Sequence, residues 1–548
     1  MGLHEGIAIP LADGYHKVTG EPALVNVHAI GGTAQMAGQL SNAYRDASAI
    51  VVTAGMKDIS GFLDDAMLMP TPGFSQIEIT RQFQKMAWEA RDPASFPLMT
   101  RRGYRVAMAA PGGPVYVCYA SEGLDRADVS AEVRPRDAFL VDPRPRPSKS
   151  QVEQLARLLV ESERPALVVG DEVWKGAAQA DVVRLAELLG LAVAGGPGNS
   201  ITAFKSFPTA HGQYAANFRT ASPGVGPDLV VHYGTRDLGD YSIGSGRNAV
   251  PGQPLVGAAR FAAVGIDPGT MGRTMPLDLA VVAHVAEATR DLLDAVQSLT
   301  TTDRLQRIRS GRLATILPAI NETRERQKTA AHAELEGAAI HPERVAFTLD
   351  RVADRDAIIV GENWTGREAR GTFINYGFRE DERMWLENGG RALGWGIGAA
   401  AGAKLGAPDR QVILTIGDGA VMYSASGLWT LSRYGIPVLI VVSNNQYYQT
   451  IRGAFDGYTG RMAATGKYHA LYLGDPDIDF VKLAESQGVK AKRVTEPGEL
   501  EAAMQRGVQT TRDGRPFLLD VHVSRTGRGA GSTWHQSFDL AGTRTNRV

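Results

Sequence analysis

The chain has 548 residues, of which 44% are hydrophobic, and it carries 62 glycines and a formal net charge of −1. Such a length predicts three or four domains, since a typical domain has about 150 residues; the pattern of elements below favours three. The balanced charge argues against a nucleic-acid-binding protein, and the lack of a secretion signal or bilayer-length apolar run predicts a cytoplasmic protein without membrane contact.

The first predicted domain, residues 1–140, alternates strand-like runs with helical patterns. Short apolar runs that favour buried parallel strands cover residues 23–27, 49–53 and 114–119. Cys118 is the one cysteine of the chain and falls in the last run, so no intramolecular disulfide or cysteine metal cluster is possible and a buried thiol is expected. The following DPRPRPS run, residues 142–148, predicts a linker.

The second predicted domain, residues 151–300, repeats the alternation and indicates another α/β sheet. Its helical patterns cover residues 151–161 and 179–189, and its strand patterns cover 166–169, 191–193 and 229–231. A charged, helix-prone stretch over residues 303–336 then leads to a third predicted domain, residues 341–525. That domain opens with a strand pattern at 357–360 and leaves a C-terminal tail, residues 526–548.

Polar residues follow two apolar strand patterns of the third domain, residues 412–416 and 438–442. Gly417-Asp418-Gly419 comes after the first pattern and Asn444-Asn445 after the second. A crossover helix over residues 420–434 would make these strands parallel neighbours, so that Asp418 and Asn445 meet at one sheet edge. A carboxylate and an amide oxygen suit Mg²⁺, and the glycines and helix N–H groups suit a phosphate. The pattern predicts a metal-diphosphate site.

This segment resembles the GDG-to-NN signature of thiamine-diphosphate enzymes, and the likeness extends along most of the chain. Within the segment, GDGAVMYSASGLWT carries it, and two further stretches do so as well: LHEGIAIPLADGY, and NVHAIGGTAQMAGQLSNAY followed by IVVTAG. The resemblance is closest to benzoylformate decarboxylases and looser to acetolactate-synthase-like proteins. It implies three doubly wound parallel-sheet domains that are pyrimidine-binding, central and diphosphate-binding. It also implies active sites between subunits, hence a homodimer as the minimum and a homotetramer as the expected assembly.

The resemblance also implies which residues hold the cofactor and the metal. Asp418, Asn445 and the backbone carbonyl of Tyr447 match the family's Mg²⁺ ligands. Leu393 falls where the family places a bulky apolar residue beneath the cofactor. The other positions that match cofactor contacts are Glu362, Asn363, Trp364, Arg391, Gly417, Gly419, Ala420 and Tyr448. Thr450 and Ile451 match positions that face the substrate.

Two catalytic residues are implied in the first domain. Glu5, in His4-Glu5-Gly6, matches the glutamate that hydrogen-bonds the aminopyrimidine ring of the cofactor and promotes its active tautomer. His28, after the strand pattern at 23–27, matches an active-site histidine of benzoylformate decarboxylases. An imidazole there could transfer protons near neutral pH.

The chain departs from the family pattern at three places. Only four residues precede Glu5, where the family has a strand and a helix, so we expect the recorded start to be late and the first domain to lack these elements. Pro10 falls inside the expected helix and would remove a backbone hydrogen bond or bend the helix. Residues 234–241 hold no histidine, which argues against benzoylformate as substrate; Arg236 and Tyr241 are possible substitutes.

The resemblance therefore implies a thiamine-diphosphate- and Mg²⁺-dependent carbon–carbon lyase acting on a 2-oxo acid, as a decarboxylase with possible carboligase activity. Two alternatives stay open: an acetolactate-synthase-like carboligase carrying FAD, although no decisive FAD motif is present, and a non-catalytic member that binds the cofactor. The Gly- and Arg-rich tail could close over the site as a lid or be disordered.

Overall fold

A computed structural model describes residues 1–57, 67–71, 73–135, 138, 141, 144–195, 203–215, 226–235, 259–273, 276–362, 372–457, 460–468, 470–527 and 529–533. Three parallel sheets form within these residues, which confirms the predicted α/β class. In this part of the chain, no helix combines the length and apolar composition needed to cross a membrane.

The first sheet has the strand order β1-β2-β4-β3. Its strands are β1 Ala23–Val27, β2 Ile50–Met56, β3 Met86–Ala90 and β4 Val115–Ala120. Its helices are α1 Glu5–Thr19, α2 Ala29–Arg45, α3 Phe96–Met108 and α4 Ser121–Leu124, with 3₁₀ turns at Gln76–Glu78, Arg81–Phe83 and Pro93–Ser95. Cys118 is a buried free thiol, as expected. Pro10 lies inside α1, which nevertheless continues to Thr19.

The central sheet has the order β10-β9-β8-β5-β6-β7. Its strands are β5 Pro165–Val169, β6 Ala192–Gly195, β7 Tyr214–Ala215, β8 Leu229–Tyr233, β9 Arg260–Gly265 and β10 Leu279–Val282. Its helices are α5 Lys149–Glu161, α6 Asp171–Lys175, α7 Gln179–Leu189, α8 Ala203–Ser206 and α9 Val285–Leu299. The long connecting helix α10, Thr302–Ala333, follows the charged stretch that predicted it.

The third sheet has the order β12-β11-β13-β14-β16-β15. Its strands are β11 Ile358–Glu362, β12 Met384–Leu386, β13 Val412–Gly417, β14 Leu439–Asn444, β15 Lys490–Val494 and β16 Phe517–His522. Its helices are α11 Pro342–Val352, α12 Gly396–Gly406, α13 Asp418–Ser424, α14 Gly427–Arg433, α15 Gln449–Gly457, α16 Arg461–Thr465, α17 Phe480–Glu485 and α18 Leu500–Arg512, with a 3₁₀ turn at Pro497–Glu499.

The crossover between β13 and β14 differs from the single helix predicted for residues 420–434. It consists of two helices, α13 and α14, which are separated at Ala425 and Ser426. There a tighter turn forms, with the N–H of Leu428 donating to the carbonyl of Ala425 at 3.1 Å. The chain turns here against Ile397, because a Cβ on Gly427 would lie 2.6 Å from that side chain.

Helix α1 of the first domain packs closely on helix α12 of the third. The contact depends on glycines of α12: a Cβ on Gly398 would lie 2.6 Å from the carbonyl oxygen of Ile7, and one on Gly402 would lie 1.9 Å from that of Leu11. Any larger residue would therefore separate the two helices, so the two domains are held together along this glycine face.

A buried ion cluster joins the same two domains. The Lys17 ammonium lies 2.9 Å from Asp13 and 2.5 Å from Asp46, and it also donates to the backbone oxygen of Glu387 at 2.9 Å. Both carboxylates also contact the third domain, since Asp13 accepts a hydrogen bond from the Trp395 indole at 2.6 Å and Asp46 accepts from the Gly389 N–H at 3.0 Å. The cluster thus fixes α1 relative to the segment before α12.

Candidate functional site

The structure brings Asp418 and Asn445 together, as the strand pattern predicted. Strands β13 and β14 pair in parallel, with Gly417 opposite Ser443, so that the residues after both strands meet at one edge. The Asp418 carboxylate accepts hydrogen bonds from three backbone N–H groups, those of Gly419 at 2.8 Å, Asn445 at 3.1 Å and Tyr447 at 3.3 Å. These bonds bend the Asn445–Tyr447 segment around the carboxylate.

The polar atoms at this edge fit a hard cation. The Asn445 side-chain oxygen is buried and has no hydrogen-bond partner among the described residues. The backbone oxygen of Tyr447 accepts one bond, from the Gln449 N–H at 2.8 Å, and keeps a second lone pair. Burial raises the pKa of Asp418 to about 6 against the lowering effect of its backbone partners. An unpaired buried oxygen costs free energy, and a Mg²⁺ ion would offset that cost.

The two glycines beside Asp418 have different surroundings. A Cβ on Gly417 would meet nothing nearer than the Glu362 oxygen at 4.0 Å, so its face is open, as expected for approach of a phosphate. The space next to Gly419 is filled instead, because a Cβ there would lie 2.5 Å from the Tyr448 ring. Gly419 therefore makes room for Tyr448, and its predicted contact with a phosphate remains a prediction.

The segment that carries Arg391 and Leu393 is held by helix α2 of the first domain. The Gln39 amide donates to the backbone oxygen of Leu393 at 2.7 Å. Asn42 makes two bonds to Ala392, donating to its carbonyl at 2.9 Å and accepting from its N–H at 3.0 Å. The Leu393 side chain stays exposed over 37% of its surface, which leaves it accessible to a cofactor.

Two residues expected at the cofactor make protein contacts with their side chains. The Glu362 carboxylate accepts from the N–H groups of Gly394 and Gly396, both at 2.6 Å, and so caps the start of α12. Burial raises its pKa to about 7. The Arg391 guanidinium pairs with Glu387 at 2.7 Å. These side chains shape the segment around Leu393.

Glu5 and His28 lie at the same end of the first sheet. Glu5 is the first residue of α1, and its carboxylate packs on α2, where a Cβ on Gly32 would lie 2.6 Å from it. His28 immediately precedes α2; its side chain is exposed, and its backbone oxygen accepts from the Gly32 N–H at 2.8 Å. The two predicted catalytic side chains thus flank the first turn of α2.

The remaining predicted residues are placed as follows. Ala420 is buried in α13, and Thr450 and Ile451 are exposed in the first turn of α15. Asn363, Trp364, Arg236, Tyr241 and tail residues 534–548 lie outside the described residues.

Sequence reasoning missed Gln39, Asn42 and the Asp13–Lys17–Asp46 cluster. Asn42 stands in the LSNAY run that carried the family resemblance, but its partners become visible only in the folded chain.

These features define an α/β protein of three parallel sheets in which Asp418, Asn445 and Tyr447 meet after β13 and β14 in an arrangement that fits a hard cation. Three family models match the chain in order: the thiamine pyrophosphate enzyme N-terminal TPP binding domain over residues 1–78, the central domain over 152–292 and the C-terminal TPP binding domain over 369–521. The chain belongs to the thiamine pyrophosphate enzyme family.

Relatives along the whole chain agree with this assignment. Benzoylformate decarboxylase of Pseudomonas aeruginosa is 29% identical, covering 95% of this chain and 91% of the relative. Acetolactate synthase isozyme 3 large subunit of Escherichia coli is 25% identical, covering 95% and 87%. The solved structure of a thiamine diphosphate-dependent 4-hydroxybenzoylformate decarboxylase from Rhodococcus jostii RHA1 has a TM-score of 0.76 at 28% identity, covering 95% of this chain and 91% of that one. The predicted class, a thiamine-diphosphate-dependent enzyme, is confirmed.

Proposed function

We propose that the protein is a Mg²⁺- and thiamine-diphosphate-dependent carbon–carbon lyase that decarboxylates a 2-oxo acid. The remaining fragment leaves as an aldehyde or is joined to a second carbonyl compound. Two observations carry this proposal: the Asp418 carboxylate accepts a hydrogen bond from the backbone N–H of Asn445, and the buried side-chain oxygen of Asn445 has no partner among the described residues. The names of the relatives support a decarboxylase or a carboligase.

The chain's own residues would bind and orient the cofactor. Asp418, Asn445 and the Tyr447 carbonyl would hold Mg²⁺, and the open face of Gly417 would admit the diphosphate. Leu393 would support the cofactor from the segment fixed by Gln39 and Asn42. When bound, thiamine diphosphate supplies an acceptor for the electron pair released beside the carbonyl.

Glu5 and His28 would handle protons. The Glu5 carboxylate would hydrogen-bond the aminopyrimidine ring and hold a proton there. The exposed His28 imidazole could transfer a proton to or from the substrate fragment.

The proposed active site is completed by a second copy of the chain, with the first domain of one subunit facing the third domain of the other. We expect a homodimer as the minimum and a homotetramer as the full assembly. Analytical ultracentrifugation of the full chain with cofactor and Mg²⁺ should give two or four times the single-chain mass. A single-chain mass at micromolar concentration would refute this part of the proposal.

Calorimetry and turnover together test the function. Titration with thiamine diphosphate and Mg²⁺ should show uptake, and a panel of 2-oxo acids should show CO₂ release for at least one. Uptake without product from any acid would favour the non-catalytic alternative.

Replacing the proposed proton-holding residue separates catalysis from binding. In Glu5→Gln we expect turnover to fall by about 10²- to 10⁴-fold with cofactor uptake retained, because the amide cannot hold the proton. The exposed Glu336→Gln is the matched control and should behave as wild type. Unchanged turnover in Glu5→Gln would remove its assigned role.

An acetolactate-synthase-like carboligase with FAD is the second candidate, supported by the acetolactate synthase relatives that match along 95% of the chain. Purified protein would then be yellow, with flavin absorbance, and would form acetolactate from pyruvate. Colourless protein that releases an aldehyde instead would favour the simple decarboxylase.

A further inference from the structure

A cavity of about 810 Å³ lies at the junction of the three domains. Helix α1 begins at Glu5 and reaches this cavity with its last turn, His16 to Thr19, about 20 Å further along at 1.5 Å per residue. The central domain contributes α6 and α8, and the third domain contributes the segment after α12. Asp418, Asn445 and Tyr447 do not line this cavity, which is therefore separate from the proposed metal-diphosphate site.

Lys205 is a buried cation in the wall of this cavity. The residue is 5% exposed; its ammonium donates to the backbone oxygen of Lys17 and lies 3.7 Å from the centre of the Trp174 ring. No carboxylate of the described residues lies within 4.0 Å of it. Lys175 in the same wall, by contrast, pairs with Asp171 at 3.1 Å.

The charges near Lys205 are of its own sign. Burial, followed by the positive charges of Lys175, Lys17 and Arg410, lowers the pKa of Lys205 to about 7. The acidic residues of the cavity wall act on other groups. Burial lowers the pKa of Arg410, which Asp356 and Glu380 oppose, and burial lowers the pKa of Lys404, which Asp409 opposes. An anion in the cavity would offset the cost of the buried ammonium.

The rest of the wall combines charged and apolar residues, and the apolar ones include Val18, Ala49, Met108, Phe378 and Met384. A volume of 810 Å³ falls within the range of about 300–1,000 Å³ that is usual for small-molecule sites. The wall therefore suits a ligand with one anionic group and a short apolar body.

We propose that this inter-domain cavity is a binding site for a small organic carboxylate, whose anionic group pairs with Lys205 and whose apolar body packs against Met108 and Met384. The site does not depend on the reaction proposed above. The last turn of α1 lines the cavity, and α1 begins at the proposed catalytic residue Glu5. A bound carboxylate would therefore contact the same helix that carries Glu5.

Benzoate is a suitable probe, since it combines a carboxylate with an apolar ring. Calorimetric titration of the full chain with cofactor and Mg²⁺ should show one site per chain that weakens at least tenfold in Lys205→Met and is retained in Lys205→Arg. The exposed Lys482→Met, with a side chain 84% exposed, is the matched control and should bind as wild type. Equal affinity in Lys205→Met would overturn the proposal, because benzoate would then bind elsewhere.

A second measurement avoids reliance on a variant that fails to fold. Crystals of the wild-type protein soaked with 4-bromobenzoate should show the bromine anomalous signal inside the cavity. A bromine signal only at the proposed metal-diphosphate site, or no bromine signal at all, would overturn the assignment to this cavity.

Discussion

Neighbouring asparagines at the end of β14 have different partners and therefore different expected roles. The Asn444 amide donates to the Asp520 carboxylate at 2.8 Å, and its oxygen accepts from the Gln446 N–H at 3.2 Å. The Asn445 oxygen has no partner among the described residues. We infer that Asn444 stabilises the strand end, whereas Asn445 is available to the metal.

Substitution of each asparagine by alanine tests this difference. In Asn445→Ala we expect cofactor affinity in the presence of Mg²⁺ to fall at least tenfold, with little change in stability, because only a ligand is lost. In Asn444→Ala we expect a loss of stability of about 1–3 kcal/mol, because Asp520 loses a buried partner. Calorimetry and urea unfolding measure the two effects. Equal cofactor affinity in Asn445→Ala and wild type would contradict the metal assignment.

For individual residues, the sequence predicted those contacts that follow from the order of the strands. Asp418 and Asn445 could be placed together because the carboxyl ends of adjacent parallel strands share one edge. The positions of Glu362 and Gly419 could not be predicted, because they depend on how α12 and the Tyr448 ring pack in three dimensions. The glycine pattern alone does not distinguish an open phosphate face from a face that an aromatic ring covers.

The α1–α12 pair is the element contact that fixes the first domain to the third. Gly402 is its tightest point, and Gly402→Ala would place a methyl group 1.9 Å from the Leu11 carbonyl oxygen. We expect this variant to lose about 1–3 kcal/mol of stability or more, because the helices must separate. Thermal unfolding should show a lower Tm.

Gly311 in α10 is a matched control for Gly402, because no neighbouring atom occupies the space that its side chain would take. A Cβ on Gly311 in α10 would meet no atom within 4 Å, so Gly311→Ala should gain about 0.5–1 kcal/mol through helix propensity alone. If Gly402→Ala were as stable as Gly311→Ala, this result would contradict the close contact between α1 and α12.

Most elements could be predicted from hydrophobic periodicity, including helix Gln179–Leu189 at its observed ends. The division of the β13–β14 crossover into two helices could not, because Ala425, Ser426 and Gly427 permit a helix in isolation. At Gly427 the chain lies against Ile397 of α12, a contact between residues that are distant in sequence.

The buried Asp13–Lys17–Asp46 cluster makes the stability of the whole molecule depend on charge. Burial tends to raise the pKa of Asp13, but the Lys17 charge and the hydrogen bonds from Ser48 and Trp395 outweigh it and lower that pKa, whereas burial raises the pKa of Asp46. Removing the ammonium in Lys17→Met would leave two buried carboxylates without a cation. We expect a loss of about 3–5 kcal/mol at neutral pH.

The loss in Lys17→Met should depend on pH. Without the cation, burial raises both folded-state pKa values above those of the unfolded chain, so the penalty is absent when both carboxyl groups are protonated and grows as pH rises through the folded-state values. Urea unfolding at pH 5 and pH 8 should show the larger loss at pH 8. The exposed Lys482→Met should change little at either pH, and a pH-independent loss in Lys17→Met would contradict the charge argument.

At the scale of the whole chain, the order of the three domains could be predicted from the family resemblance, but the inter-domain cavity and ion cluster could not. Both arise from residues far apart in sequence, such as Lys17 and Lys205, whose proximity no local pattern encodes.

The glycine-lined helix pair has a consequence for the proposed dimer. Glu5 opens α1 and Leu393 stands just before α12, yet in that assembly they would serve different reaction centres. The packed helix pair would then connect the two reaction centres. A displacement of the helices at one centre would therefore also move residues at the other.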